Sequence, residues 1–109
     1  MVVEECWSAP AGLERMRELV SPDYVHHTVS GDLTFDEFCR GVAWIDERLG
    51  QRSYCVEHLV VEGDRAAAYL SWQATRRADG TAVEGRGAYH CRFAGDVIAE
   101  DWDVFHPVG

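Results

Sequence analysis

Apolar residues recur at helical spacing through the first half of the chain and in alternation through the second. Val2, Val3, Cys6 and Trp7 predict a short helix over residues 2–8, broken at Ala9-Pro10. Leu13, Met16, Leu19 and Val20 form one stripe and predict a second helix over 11–20, ended by Ser21-Pro22-Asp23. Residues 24–28 read as a short strand and Ser30-Gly31-Asp32 as a turn. The third helix has a capping box, with Thr34 as N-cap and Glu37 at the third helical position. Phe35, Phe38, Val42, Ile45 and Leu49 follow on one face, and Gly50 is the expected stop.

The remainder alternates. Gly63-Asp64, Asp79-Gly80 and Gly95-Asp96 suit tight hairpins and predict four strands, near 53–62, 65–77, 82–94 and 97–106. Two-residue loops fix the register. Glu62 then faces Arg65, Ala78 faces Thr81 and Ala94 faces Val97. On that register one face carries Val61, Ala66, Phe93 and Ile98, then Leu59, Ala68, Cys91 and Glu100, then Glu57, Leu70, Tyr89 and Trp102, then Cys55, Trp72, Gly87 and Val104. This face is largely apolar, so the helices should cover it. The opposite face holds His58, Tyr69, His90 and Asp101 in one row, with Arg92 and Asp103 nearby. The expected fold is α+β, three N-terminal helices on one face of a curved antiparallel sheet in the order αα-β-α-ββββ. Such a sheet capped by helices makes a natural ligand cavity.

Length and charge narrow the function. The 109 residues suit a single domain spanning 1–109. Ten arginines against nineteen acids give a net charge of −9, which argues against nucleic acid and anionic membranes as partners. No apolar run is long enough to span a bilayer, and the Met1–Trp7 start lacks the basic residues of a signal peptide, so a cytoplasmic location is expected. Cys6, Cys39, Cys55 and Cys91 include no Cys-x-x-Cys pair. Reduced thiols are expected, with no metal site. No phosphate-binding glycine loop and no Gly-x-Ser-x-Gly elbow occurs, and no cofactor is expected.

Three stretches carry a resemblance: Ser21–His27, Val61–Arg65 and Arg92–Phe105. In order and spacing they resemble SnoaL-like proteins of the nuclear transport factor 2-like superfamily, over nearly the whole chain. The resemblance implies a cone-shaped α+β barrel with a pocket between the helices and the concave sheet. The superfamily includes polyketide cyclases, ketosteroid isomerases, epoxide hydrolases, dehydratases and proteins without chemistry, so fold alone selects none of them. Against the isomerase pattern, His27 stands where the general-base Asp would be, and Tyr89 stands where the oxyanion-hole Asp would be. The first-helix Tyr has no counterpart, the nearby residues being Val3 and Trp7. A steroid isomerase proper is therefore not expected.

The candidate catalytic residues are His27, Glu100 and Tyr89. His27 can act as a base near neutral pH, or can shape the adjoining turn by hydrogen bonding. Glu100, between Ile98 and Trp102 on the expected inner face, would hold its proton tightly and could serve as acid or base. Its alternative is a structural carboxylate paired with an arginine or with helix N–H groups. Tyr89 could donate to an enolate, or be a core tyrosine with a satisfied hydroxyl. Phe38, Trp72, Cys91, Trp102 and Val104 are the expected pocket lining. The expected function is cofactor-free acid–base chemistry on a small apolar metabolite: isomerisation, cyclisation, dehydration or epoxide opening. The alternative is a non-catalytic ligand-binding or dimerisation module. The apolar outer face, with Val56, Val60, Ala67 and Tyr69, points to a homodimer, as does the resemblance.

Overall fold

The computed structural model describes residues 11–107, so the helix expected over 2–8 lies outside the described residues. Helix α1 spans Ala11–Arg17 and buries Leu13 and Met16. It ends earlier than expected: Glu18 and Leu19 N–H groups bond back to Arg15 and Met16, and Val20 already opens strand β1, Val20–Thr28. Pro22 sits where the β1 register is irregular, between Val20 and Val25, so its missing N–H interrupts no regular ladder. Strand β2, Gly31–Leu33, folds back on β1.

Helix α2, Phe35–Asp46, has the expected capping box. The Glu37 N–H donates to Thr34 Oγ1 at 3.2 Å, and the Thr34 N–H donates to Glu37 Oε1 at 3.0 Å. Phe38 and Val42 are its buried face. It stops before Leu49 and Gly50, which begin strand β3, Leu49–Glu62. Strands β4, Arg65–Arg76, β5, Ala82–Ala94, and β6, Val97–Pro107, complete one six-stranded sheet in the order β2-β1-β6-β5-β4-β3. The α+β class holds. The sheet is mixed rather than wholly antiparallel, because β1 runs parallel to β6.

Two of the three hairpins have the expected register, Glu62 opposite Arg65 and Ala94 opposite Val97. The middle one is wider. Arg76 and Thr81 close the loop, with the Arg76 N–H on the Thr81 carbonyl and the Gly80 N–H on the Arg76 carbonyl, both at 2.8 Å. Asp79 Oδ1 accepts the Thr81 N–H at 2.9 Å and stabilises this longer turn. The pairing is displaced by two residues, so Ala66 meets Cys91 instead of Phe93, and the faces are kept.

Bulges matter more, because each shifts pairing by one residue and exchanges the faces beyond it. One lies at Glu57, between the Val56–Leu70 and His58–Tyr69 pairs. It turns Tyr54 and Val56 inward and leaves Cys55 and Glu57 exposed. The other lies at Ala99: Phe93 still faces Ile98, but Arg92 now faces Glu100 and Cys91 faces Asp101. Beyond it, Asp101, Asp103 and Phe105 point inward, and Glu100, Trp102 and Val104 outward. The expected inward placement of Glu100, Trp102 and Val104 is thereby reversed. The core contains Met16, Tyr24, Phe38, Leu70, Tyr89 and Ile98. Leu59 and Val61, expected under the helices, are more than half exposed. Among the described residues no helix is long and apolar enough to cross a membrane.

Candidate active site

The bulge at Ala99 aims Asp101 into the core, where its side chain has no solvent exposure. A carboxylate there needs partners. β5 and β1 supply them. Tyr89 donates its hydroxyl to Asp101 Oδ2 at 2.7 Å. Tyr24 donates to the same carboxylate, 2.8 Å from Oδ1 and 2.7 Å from Oδ2. His26 Nδ1 stands 2.5 Å from Oδ1. Tyr24 and His26 are two apart on β1 and share its inner face, as Asp101 and Asp103 share that of β6. The second imidazole nitrogen, Nε2, is 3.3 Å from Asp103 Oδ2. A continuous polar chain therefore runs from two tyrosines through Asp101 and His26 to Asp103.

Burial disfavours the charged imidazole, but the hydrogen bonds it donates to Asp101 and Asp103 outweigh this and raise the His26 pKa from 6.5 to about 9. His26 is thus an imidazolium at neutral pH, donating from both nitrogens. Burial, reinforced by the Asp101 charge, pushes both tyrosine hydroxyls well above their ordinary value, which keeps them as donors.

Two members of this chain face open space, His26 and, more fully, Asp103. Asp103 lines a cavity of about 190 Å³ between α2 and the sheet, with Phe38, Val42, Tyr54, Trp72 and Phe105 among the other walls. An outer lobe of about 300 Å³ shares Phe38, Val42, Ile45, Asp103 and Phe105 with it and adds His26, Thr28 and Leu33. Asp103 thus sits where the two lobes meet. The walls are chiefly apolar and aromatic, with one reactive acid, an arrangement suited to proton transfer on a bound apolar molecule.

Of the expected lining, Phe38 and Trp72 are in the inner lobe. Cys91 is buried in the core beside Asp101, and burial raises its thiol pKa. Val104 reaches the open rim of the outer lobe. Tyr89 is inward but acts on Asp101 and lines neither lobe. His27 and Glu100 do meet, Nε2 to Oε2 at 2.8 Å, on the other face of the sheet. There Asp32 holds His27 Nδ1 at 2.7 Å and Arg92 Nε donates to Glu100 at 2.8 Å. The His27 ring stacks on Trp102, which stacks in turn on His90, at centroid distances of 4.7 and 5.0 Å. The Glu100 hydrogen bond raises the His27 pKa, and the Arg92 and His27 hydrogen bonds lower that of Glu100.

Tyr24, His26, Asp101 and Asp103 were not among the expected site residues. The signal present in the sequence is the matched pair of Tyr-x-His and Asp-x-Asp spacings, each placing two polar groups on one strand face. Among the described residues no group of three or more His, Cys, Asp or Glu side chains is arranged to hold a metal ion.

Residues 4–101 match the SnoaL-like domain, and the chain belongs to that family. Solved structures share its fold at low identity. AclR of Streptomyces galilaeus, a candidate hydroxylase, is 20% identical with a TM-score of 0.83, over 96% of this chain and 86% of AclR. IdmH of Streptomyces antibioticus, a candidate polyketide cyclase, is 18% identical with a TM-score of 0.83, over 94% of this chain and 86% of IdmH. A candidate polyketide cyclase of Acidithiobacillus ferrooxidans is 20% identical with a TM-score of 0.79, over 94% and 81% of the two chains. No curated protein matches the sequence significantly.

Proposed function

We propose that this chain is an enzyme that moves protons on a small, largely apolar metabolite using its own side chains. Asp103 is the group that meets substrate, and His26 is the positioning residue behind it. The observation that carries this reading is the His26 Nε2 to Asp103 Oδ2 approach of 3.3 Å at the wall of the cavity. The Asp103 carboxylate accepts a proton from a carbon beside a carbonyl, giving a neutral carboxyl and an enolate. It returns that proton at a second position, so the enzyme ends unchanged. His26 keeps its charge throughout, fixed by Asp101, and its Nε2 stands 3.3 Å from Asp103 Oδ2, which positions the Asp103 carboxylate. Isomerisation and cyclisation both need this sequence, and dehydration or epoxide opening needs its acid half. The similarity to candidate polyketide cyclases supports the class of chemistry.

A test without a known substrate is deuterium uptake at the α-carbon of a small ketone such as acetophenone in D2O, followed by proton NMR. Uptake should depend on Asp103 and not on Glu100. Equal uptake by wild type and Asp103→Asn would refute the assignment. The exposed apolar residues Val60, Tyr69 and Val104 on the outer face support pairing with a second copy of the chain. Light scattering that returns a monomer mass at working concentrations would remove that part.

A further inference from the structure

Proton removal beside a carbonyl leaves negative charge on the carbonyl oxygen, and in an apolar cavity that charge needs a hydrogen-bond donor. Among the side chains around the two lobes, donors are few. His26 gives its N–H groups to Asp101 and Asp103. Thr28 donates its hydroxyl to the Gly31 carbonyl at 2.8 Å. Trp72 Nε1 is enclosed by protein. Arg52 Nη1 donates to Asp46 Oδ1 at 3.0 Å and to the Leu49 carbonyl at 3.3 Å. The other donor is Tyr54, a half-buried wall of the inner lobe.

Tyr54 is on β3 and Asp103 on β6, with β5 and β4 between them. In a flat sheet that separation is about 14 Å. Curvature closes it. The Tyr54 ring meets the Phe105 ring edge-on at a centroid distance of 6.0 Å, and Phe105 follows Asp103 by two residues on the inner face of β6. Tyr54 therefore leans across the lobe to the strand that carries the acid, and the Asp103 charge is felt at its hydroxyl. The Arg52 guanidinium hydrogen-bonds that hydroxyl. Arginine has only N–H groups to offer, so the phenol oxygen accepts and its own proton is directed to another partner. Burial raises the Tyr54 pKa, so the hydroxyl keeps that proton at neutral pH.

We propose that Tyr54 is a second catalytic residue, whose hydroxyl donates to the substrate's carbonyl oxygen while Asp103 removes a proton from the carbon beside that carbonyl. This rests on the proton-transfer reading for the identity of the base. The C–H electron pair becomes the carbon–carbon double bond of the enolate, and the carbonyl π pair moves onto oxygen. The Tyr54 hydrogen bond strengthens against that charge, and its proton stays on the phenol. The substrate is thus a neutral carbonyl compound that turns its oxygen toward β3 and its α-carbon toward β6.

The test has two readouts on the intact protein. In the first, tyrosine is labelled with 13C at Cζ and the Tyr54 resonance is assigned with Tyr54→Phe. Acetophenone should move that resonance downfield and saturate, whereas ethylbenzene, of the same shape without the oxygen, should not move it downfield. Asp103→Asn should keep the acetophenone response while abolishing deuterium uptake, so a wrong base and a wrong donor give different results. In the second readout, Tyr54→Phe should lower acetophenone deuterium uptake about 10²-fold, while weakening acetophenone binding no more than about tenfold. Should that variant not fold, 4-aminophenylalanine in place of Tyr54, of the same shape and a weaker donor, should lower uptake about tenfold or more. A Tyr54 resonance unmoved by acetophenone, an equal downfield shift with ethylbenzene, or uptake unchanged by Tyr54→Phe would each overturn the proposal.

Discussion

His26 and His27 are neighbours in sequence, and each stands between two carboxylates. His26 has Asp101 at 2.5 Å and Asp103 at 3.3 Å; His27 has Asp32 at 2.7 Å and Glu100 at 2.8 Å. By distance alone the pairs are equivalent. They differ in what surrounds them. The His26 side chain is 4% exposed and Asp101 is fully enclosed, whereas His27 is 22% exposed and Asp32 66%. Water and salt screen the outer pair, so its contribution to stability is small. The inner pair sits where Coulombic attraction is strong and where an unpaired member would be costly. Similar chemical groups thus serve two ends, and the inner set borders the cavity between α2 and the sheet.

Asp103→Asn should have the largest effect on activity. It should lower ketone deuterium uptake about 10²-fold or more, the usual scale for a positioned base, while Glu100→Gln should leave uptake within about twofold. Should Glu100→Gln be the damaging change instead, the roles of the two faces would be exchanged. Asp101→Ala should have the largest effect on stability. It leaves His26 charged and both tyrosine hydroxyls without their acceptor, and should cost about 3–5 kcal/mol in urea unfolding. Tyr89→Phe removes one hydrogen bond to that carboxylate and should cost about 1.5–3 kcal/mol. The outer pair should yield least: Glu100→Gln should barely move the urea midpoint, and less still at high salt. A loss from Glu100→Gln as large as that from Asp101→Ala would erase the contrast drawn between the two sites.

Much of the architecture was legible in the sequence because local chemistry encodes it. The Thr34–Glu37 capping box and the Gly63-Asp64 and Gly95-Asp96 turns are each specified by a few adjacent residues, and each formed as expected. The face of β6 was not legible. It depends on one extra residue, Ala99, whose side chain carries no turn signal, and on tertiary partners from β1 that enclose Asp101. His26 carries no local signal for the same reason. Its neighbour matched a family position, and a histidine's importance here comes from what lies across a parallel strand pair, 75 residues away in sequence. The cavity walls contributed by α2 and β4, Phe38 and Trp72, could be foreseen, since no bulge intervenes between them and their turn or cap.

The pH dependence of His26 tests the central claim most directly. Its folded pKa of about 9 lies above the ordinary 6.5. The stability it contributes should therefore be complete below about pH 6.5 and be lost as pH rises through 9. A 15N NMR titration of the histidine ring nitrogens, assigned with His26→Gln, reads the protonation state itself. Both His26 nitrogens should be protonated at pH 7 and should titrate near pH 9. A neutral His26 at pH 7, or one titrating near 6.5 like a solvent-exposed imidazole, would contradict a buried imidazolium held between Asp101 and Asp103.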